Sequence, residues 1–188
     1  MKHLIILLCA SSMMLSTASA AKSPPPPNPE ELQRSEEMKR VEVEWVNPSD
    51  YSDIRPSNQS RSRFRDRTFK HLEEHLEELA SRLPEGQRLK LSVTNLDLAG
   101  QVWPAHMIGL GFGSDVRLIE RVDIPRMNFS YQLLDGSGAV IRTGEEKLKD
   151  MAFQERAIAR YRNETLRYEK TMIKDWFVDS FDLVEKQE

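Results

Sequence analysis

Apolar and polar residues alternate over residues 89–94, which is the pattern of a β-strand with one buried face. The apolar positions of this strand are Leu89, Leu91 and Val93. Leu96 and Leu98 continue the apolar set on the opposite parity. Because a shift of one residue turns the following side chains to the other face of a sheet, the pattern predicts a bulge or a strand end near Asn95.

The same periodicities predict the elements on either side of this strand. An alternating strand begins at Val41 and ends at the turn residues 47–50. Apolar residues at spacings of three and four predict a long helix over residues 63–83. Further strands are predicted over residues 115–124, 127–133 and 139–143, the last with a ragged continuation to residue 150. One helix or two are predicted over residues 154–161 and 165–181.

The order of strand, helix, about four strands and helix predicts an α+β fold. We expect two layers, with about four to five mostly antiparallel strands in one of them. The long helix after the first strand and the C-terminal helix would cover one face of that sheet. A single α+β domain is predicted over residues 41–181, followed by a polar tail at residues 182–188.

The first twenty residues have the composition of a secretory signal peptide. A positive charge at Lys2 precedes an apolar run, and Ala18-Ser19-Ala20 is a small-x-small motif, so we predict cleavage after Ala20. Residues 21–40 are rich in proline and then in charge, which predicts a flexible linker. No later apolar stretch approaches the roughly 20 residues that a transmembrane helix needs, so none is predicted.

Charge and cysteine content exclude several classes of function. The chain has a formal net charge of −3, so no dominant basic field would attract a nucleic acid. Its one cysteine, Cys9, lies inside the predicted signal peptide. A disulfide, a thiol nucleophile and a cysteine-ligated metal are therefore excluded from the mature chain.

His71 and His75 form the pattern His-x-x-Glu-His within the predicted long helix. In zinc peptidases with this pattern, two histidines one helical turn apart hold the metal. Here each histidine precedes a core leucine, and no third ligand is identified. The two interpretations are a weak site for a divalent metal and a solvated flank of the helix. No cofactor is predicted.

A basic run lies where the long helix begins, at Arg61, Arg63, Arg65 and Arg67. Contact with anionic lipid headgroups is one interpretation of this run. The other is a solvated cluster that pairs with nearby acids, because charge runs usually lie in water.

Two further groups of residues are candidates for a site. Trp103 and His106 flank a glycine-rich loop, which is either a mobile lid over a pocket or a solvent loop anchored by one tryptophan. Four aspartates near strand ends could form paired carboxylates for acid–base work or a cation site, namely Asp97, Asp115, Asp123 and Asp150. Aspartates at strand ends also satisfy backbone donors in turns, which is the structural alternative.

Several stretches between residues 41 and 181 carry a family resemblance. They are residues 43–55, residues 94–100 with the sequence Thr-Asn-Leu-Asp-Leu-Ala-Gly, Pro125 with Tyr131, residues 138–150, and residues 168–177. In these stretches the chain resembles the bacterial domain-of-unknown-function family 3016. The resemblance implies an exported proteobacterial protein of the periplasm, without an established activity, ligand or catalytic residue.

The resemblance also singles out Asp97 and Asp150. The family commonly has an acid two positions before the first of them, where this chain has Asn95. If a carboxylate pair bound a cation at that place in the family, this chain would have half of the pair.

These observations lead to three functional hypotheses. The first is a non-catalytic binding or envelope-assembly module that holds an envelope or periplasmic protein on the helix-free sheet face or on an exposed edge strand. The second is a hydrolase or divalent-metal-dependent enzyme that uses Asp97 and Asp150, and the third is a carrier of a small ligand. The candidate binding residues are Asp97, Trp103, His106, Asp150 and Trp176.

Overall fold

A four-stranded sheet and two helices form the main body of the protein, as a computed structural model describes it over residues 39–111, 113–155 and 161–181. In chain order the elements are β1 (Val41–Trp45), α1 (Arg61–Ala80), β2 (Arg88–Asp97), β3 (Gln101–Trp103), a 3-10 turn (Ala105–Ile108), β4 (Val116–Leu118), β5 (Arg126–Leu134), β6 (Val140–Lys149) and α2 (Arg167–Phe181). The predicted signal peptide, most of the predicted linker and the predicted polar tail lie outside the described residues, as does most of the helix predicted over residues 154–161.

The strand order in the main sheet is β1-β2-β5-β6, and β3 pairs with β4 in a separate two-stranded ribbon. β1 and β2 are parallel because α1 connects them, whereas the β2–β5 and β5–β6 pairs are antiparallel. The predicted α+β class and the mostly antiparallel sheet are confirmed.

The register of β2 shifts where its apolar pattern slips. Pairing with β5 is regular up to Val93 and resumes one residue out of step at Asn95. The slip keeps Leu96 buried on the same face as the earlier apolar residues. The bulge that the sequence predicts near Asn95 is therefore confirmed.

Both helices cover one face of the main sheet and enclose the core. Helix α1 buries Leu72 and Leu76 completely, and α2 does the same with Phe177. Trp45 of β1 stacks on Phe69 of α1 with ring centroids 3.9 Å apart. Neither helix contains an apolar stretch that could cross a membrane.

The opposite face of the sheet is polar. Its side chains alternate with the buried ones along every strand, as in a sheet with one solvated face. Members of this outer face include Glu42, Glu44, Lys90, Ser130, Gln132, Glu145 and Lys147. The exposed large apolar residues of the main sheet, Val140 and Ile141, lie at the hairpin end of β6.

Two predicted strands differ from the observed ones. The strand predicted over residues 115–124 is wrong beyond Leu118, because the chain turns at Glu120 and leaves Val122 76% exposed. That turn brings the carbonyl of Asp123 to the backbone N–H of Gly100, at 3.0 Å. The continuation predicted after residue 143 is confirmed, but it is regular rather than ragged, since β6 pairs with β5 up to Lys149.

Candidate functional site

A groove runs between residues 52–63 and the β3–β4 ribbon. It consists of two connected parts that share Arg55 and Val102 in their walls. We name the smaller part, about 430 Å³, the aspartate cleft, because it is lined by Asp53, Asp97 and Asp123. The larger part, about 820 Å³, is named the arginine groove and is lined by Arg55, Arg61 and Arg63.

The turn after β2 forms the base of the aspartate cleft. Each of its backbone N–H groups is bonded to a different part of the chain: Leu98 to the Asp53 carbonyl at 3.3 Å, Ala99 to a Glu169 carboxylate oxygen at 2.7 Å, and Gly100 to the Asp123 carbonyl. Gly100 has φ +78°, and a Cβ there would lie 2.2 Å from the Leu118 carbonyl oxygen. Only glycine fits this position without displacing the ribbon.

Arg117 of β4 connects the segments that border the groove. Its guanidinium donates to the Asp53 carboxylate at 2.9 Å and to the Gly100 carbonyl at 2.6 Å, and it also reaches the carbonyls of Arg55 and Ala99. Hydrogen bonds from a charged donor are roughly twice as strong as neutral ones. Arg117, Asp53, Glu169 and the turn of residues 97–100 together form what we call the polar junction.

Glu169 attaches α2 to this junction. The side chain is almost fully buried and accepts the Ala99 N–H. Burial raises the pKa of Glu169, since it penalises the charged form, while the Ala99 N–H opposes the shift. The carboxylate acts as a structural acceptor inside the fold.

Asp97 lies at the edge of the aspartate cleft and is paired across the strands. Its carboxylate accepts a hydrogen bond from Arg126 at 2.9 Å, and its side chain is 19% exposed. Burial raises the pKa of Asp97, and the positive charge of Arg126 works against that shift. The cleft thus contains two ion pairs, Asp97–Arg126 and Asp53–Arg117, whereas the third lining carboxylate, Asp123, has no ion-pair partner among the described residues.

The arginine groove is lined by arginines that form no ion pairs among the described residues, in contrast to the paired charges of the aspartate cleft. Within the described ranges no carboxylate lies at ion-pairing distance from Arg55, Arg61 or Arg63. The basic run therefore divides, because Arg65 lies 3.9 Å from Asp66 and Arg67 donates to Gln59. Its first two members face water and line the groove.

The two histidines of the His-x-x-Glu-His pattern have different surroundings. His75 is buried, and its Nε2 lies 3.0 Å from the Lys170 carbonyl, which identifies that nitrogen as the protonated donor. Burial lowers the pKa of His75 to about 4. His71 is partly exposed beside Glu74, at 3.5 Å. Over residues 39–111, 113–155 and 161–181 no group of three or more His, Cys, Asp or Glu side chains could hold a metal ion.

The other predicted site residues lie apart from one another. Asp150 is buried at the end of β6, where it accepts the Ala152 N–H at 3.0 Å, and it does not line the groove. Trp176 packs edge-on against Phe129 in the core. Trp103 in β3 and His106 in the 3-10 turn are exposed and lie outside the lining of both parts of the groove. Of the candidate binding residues the structure thus brings Asp97 alone to the groove. Two further aspartates of the predicted carboxylate set also line it, Asp123 in the aspartate cleft and Asp115 in the arginine groove.

Three residues that shape the groove were not identified from the sequence. The position of Glu169 could have indicated a buried polar contact, because this acid lies on the apolar stripe of α2 that also contains Met172 and Trp176. Arg55 and Arg117 carried none, because polar contacts between distant segments leave no periodicity in the sequence.

Comparison with known proteins places the chain in a family. No curated protein and no solved structure matches it. The sequence profile of DUF3016, a family described as proteins of unknown function, matches residues 39–179, and this protein belongs to that family.

Proposed function

We propose that this protein is a non-catalytic binding module of the bacterial envelope, located in the periplasm, which holds its ligand in the arginine groove. The observation that carries the proposal is that three arginine residues, Arg55, Arg61 and Arg63, line one groove, and none of them has a carboxylate partner among the described residues. Concave parts of the surface are where proteins usually bind small ligands.

The state of the nearby carboxylates supports binding rather than catalysis. General acid–base chemistry needs titratable groups that converge on a place where a substrate can sit. Asp97 and Asp53 are instead held by Arg126 and Arg117, and Asp150 lies outside the groove. Asp123 is then the one carboxylate of the cleft without an ion-pair partner among the described residues, so the cleft offers no unpaired carboxylate pair. The polar junction thus gives the groove a fixed wall.

The surface properties favour the groove over the sheet as the binding site. The helix-free face carries charged and hydroxyl side chains, whereas the centre of a protein-binding surface is usually depleted of charge. The edge strand β6 exposes Glu145, Lys147 and Lys149, and charged side chains of this kind protect an edge from pairing. The periplasmic location rests on residues 1–20, which have the composition of a signal peptide.

Native mass spectrometry of the protein taken from its own periplasm tests the proposal. Asn58→Trp would fill the mouth of the arginine groove, because Asn58 is exposed and lines it. Asn163→Trp adds the same ring at an exposed position outside the groove and serves as the matched control. We expect a mass excess on the wild type and the control that is absent from Asn58→Trp. A bare polypeptide mass in every sample, or an excess that Asn58→Trp retains, would contradict the proposal.

A further inference from the structure

We infer that the ligand of the arginine groove presents a phosphate group to Arg55, Arg61 and Arg63. This inference rests on the proposed function and specifies the chemical class of the ligand.

The charge balance of the groove points to a dianion. Three guanidinium groups contribute three positive charges, and Asp115 in the same wall contributes one negative charge. About two positive charges therefore remain. A phosphate monoester carries roughly −1.5 to −2 charges at neutral pH, which matches this excess, whereas a single carboxylate would leave half of it uncompensated.

The donor geometry of the groove suits phosphate oxygens. Arginine presents N–H donors in a rigid planar fork that binds phosphate in a bidentate manner. Ser57, Asn58 and Ser60 also line the groove and add neutral donors. The volume of about 820 Å³ exceeds that of one phosphate, so the groove has room for the rest of a larger ligand.

The three arginines differ from other arginines nearby. Arg117 and Arg126 each bond to an aspartate, and Arg65 lies beside Asp66. Arg61 and Arg63 belong to the first turn of α1, which contains no acidic residue. A dianion bound beside these cationic side chains would be attracted by each of them.

Calorimetric titration with inorganic pyrophosphate tests the inference on the mature chain. The variant Arg61→Gln/Arg63→Gln removes two groove charges, and the control Arg65→Gln/Arg88→Gln removes two charges outside the groove lining. We expect saturable binding to the wild type, a loss of affinity of about tenfold or more in the groove variant, and little change in the control. Circular dichroism spectra that match the wild type would show that both variants fold.

Vesicle sedimentation distinguishes two sources of the phosphate. The wild type is mixed with phosphatidylcholine vesicles that contain or lack phosphatidic acid, whose headgroup is a phosphate monoester. Binding to the phosphatidic acid vesicles that the groove variant loses identifies a lipid headgroup, and pyrophosphate binding without vesicle binding identifies a soluble phosphate compound. Either result supports the inference. Failure of both probes to bind, or equal binding by the groove variant, would overturn it.

The experiments can refute the phosphate inference without refuting the proposal that the arginine groove binds a ligand. Native mass spectrometry could detect a ligand that the wild type binds and Asn58→Trp does not. If that ligand contains no phosphorus, the phosphate inference is refuted and the proposed function stands. If the wild type carries no ligand and neither phosphate probe binds, both fail together.

Discussion

The two halves of β2 are held in the fold by different forces. The apolar side chains of its first half face the helices and are almost fully buried, as are their neighbours on β5. The second half leads into the turn of residues 97–100, whose backbone groups are bonded to Asp53, Glu169 and Asp123. Apolar burial contributes in proportion to area, whereas a hydrogen bond weakens steeply when its geometry changes. The first half therefore supplies stability, and the second half fixes the shape of the groove wall.

This difference has a functional meaning. The apolar half contacts neither part of the groove, while Asp97, Leu98 and Gly100 of the polar half line the aspartate cleft. We therefore expect changes in the core to alter stability alone and changes in the junction to alter both stability and ligand binding.

The largest effect is expected from a change in the apolar region. Phe177→Ala removes a completely buried ring from the core, which should lower the free energy of unfolding by about 4 kcal/mol. Urea denaturation measures this change. Val140→Ala, at a half-exposed position, is the control and should have an effect within about 0.5 kcal/mol. Equal effects of the two substitutions would show that α2 does not pack on the sheet as described.

The contact between the helices gives the protein a defined pH dependence. His75 has an ordinary pKa of 6.5 and a folded pKa of about 4, so below pH 6.5 the unfolded chain takes up a proton that the folded chain does not. Stability should be complete above pH 6.5, fall by about 3 kcal/mol as the pH drops to 4, and level off below that. Comparison with His75→Gln, which keeps a donor for the Lys170 carbonyl but does not titrate, isolates the contribution of His75. The same pH profile for both proteins would rule out a buried neutral His75.

At the polar junction, Gly100→Ala tests the close approach of the turn to the ribbon. The added Cβ meets the Leu118 carbonyl and also imposes a positive φ on alanine, so we expect a loss of about 2–3 kcal/mol. Gly138→Ala is the matched control, because Gly138 has φ +86° and open space around it. The control should lose about 1 kcal/mol, from the backbone conformation alone. If urea denaturation gives equal losses for both variants, the contact with Leu118 is not as close as described.

The smallest loss of stability is expected at Arg117. Arg117→Ala leaves Asp53 and the Gly100 carbonyl without their donor, which should lower the free energy of unfolding by about 2 kcal/mol. Because Arg117 also holds the Arg55 carbonyl, the variant should bind pyrophosphate more weakly than the wild type. Arg121→Ala breaks an exposed ion pair with Glu155 and should cost at most about 0.5 kcal/mol, with binding unchanged. If Arg117→Ala binds pyrophosphate as the wild type does, the polar junction does not influence ligand binding in the arginine groove.

The apolar region was also the part that the sequence predicted well. The spacing of Leu72 and Leu76 predicted α1, and the slip in the pattern of β2 predicted the bulge at Asn95. Both follow from periodicity, which burial on one face imposes on a strand or a helix. The family resemblance pointed to residues 97–100 without explaining them.

The polar region could not be predicted in the same way. The contacts of Arg117 join residues that lie 17 to 64 positions apart in the chain, and no local pattern encodes such pairs. The arginine groove was predicted in part, because the basic run of the sequence contributes Arg61 and Arg63 to it, whereas no local pattern connected Arg55 with that run. Asp150 and Trp176 were named as binding candidates from sequence features that do not distinguish a buried side chain from an accessible one.

A map of amide chemical shifts on addition of inorganic pyrophosphate tests most directly whether the arginine groove binds phosphate. Two-dimensional ¹H–¹⁵N spectra of the mature protein would be recorded over a titration. We expect saturable changes in the amide shifts of residues 55–63 and Val102. The amide shifts of the outer-face residues Glu145 and Lys147 should not change. Spectra that do not change, or shifts confined to the outer face of the sheet, would contradict this prediction.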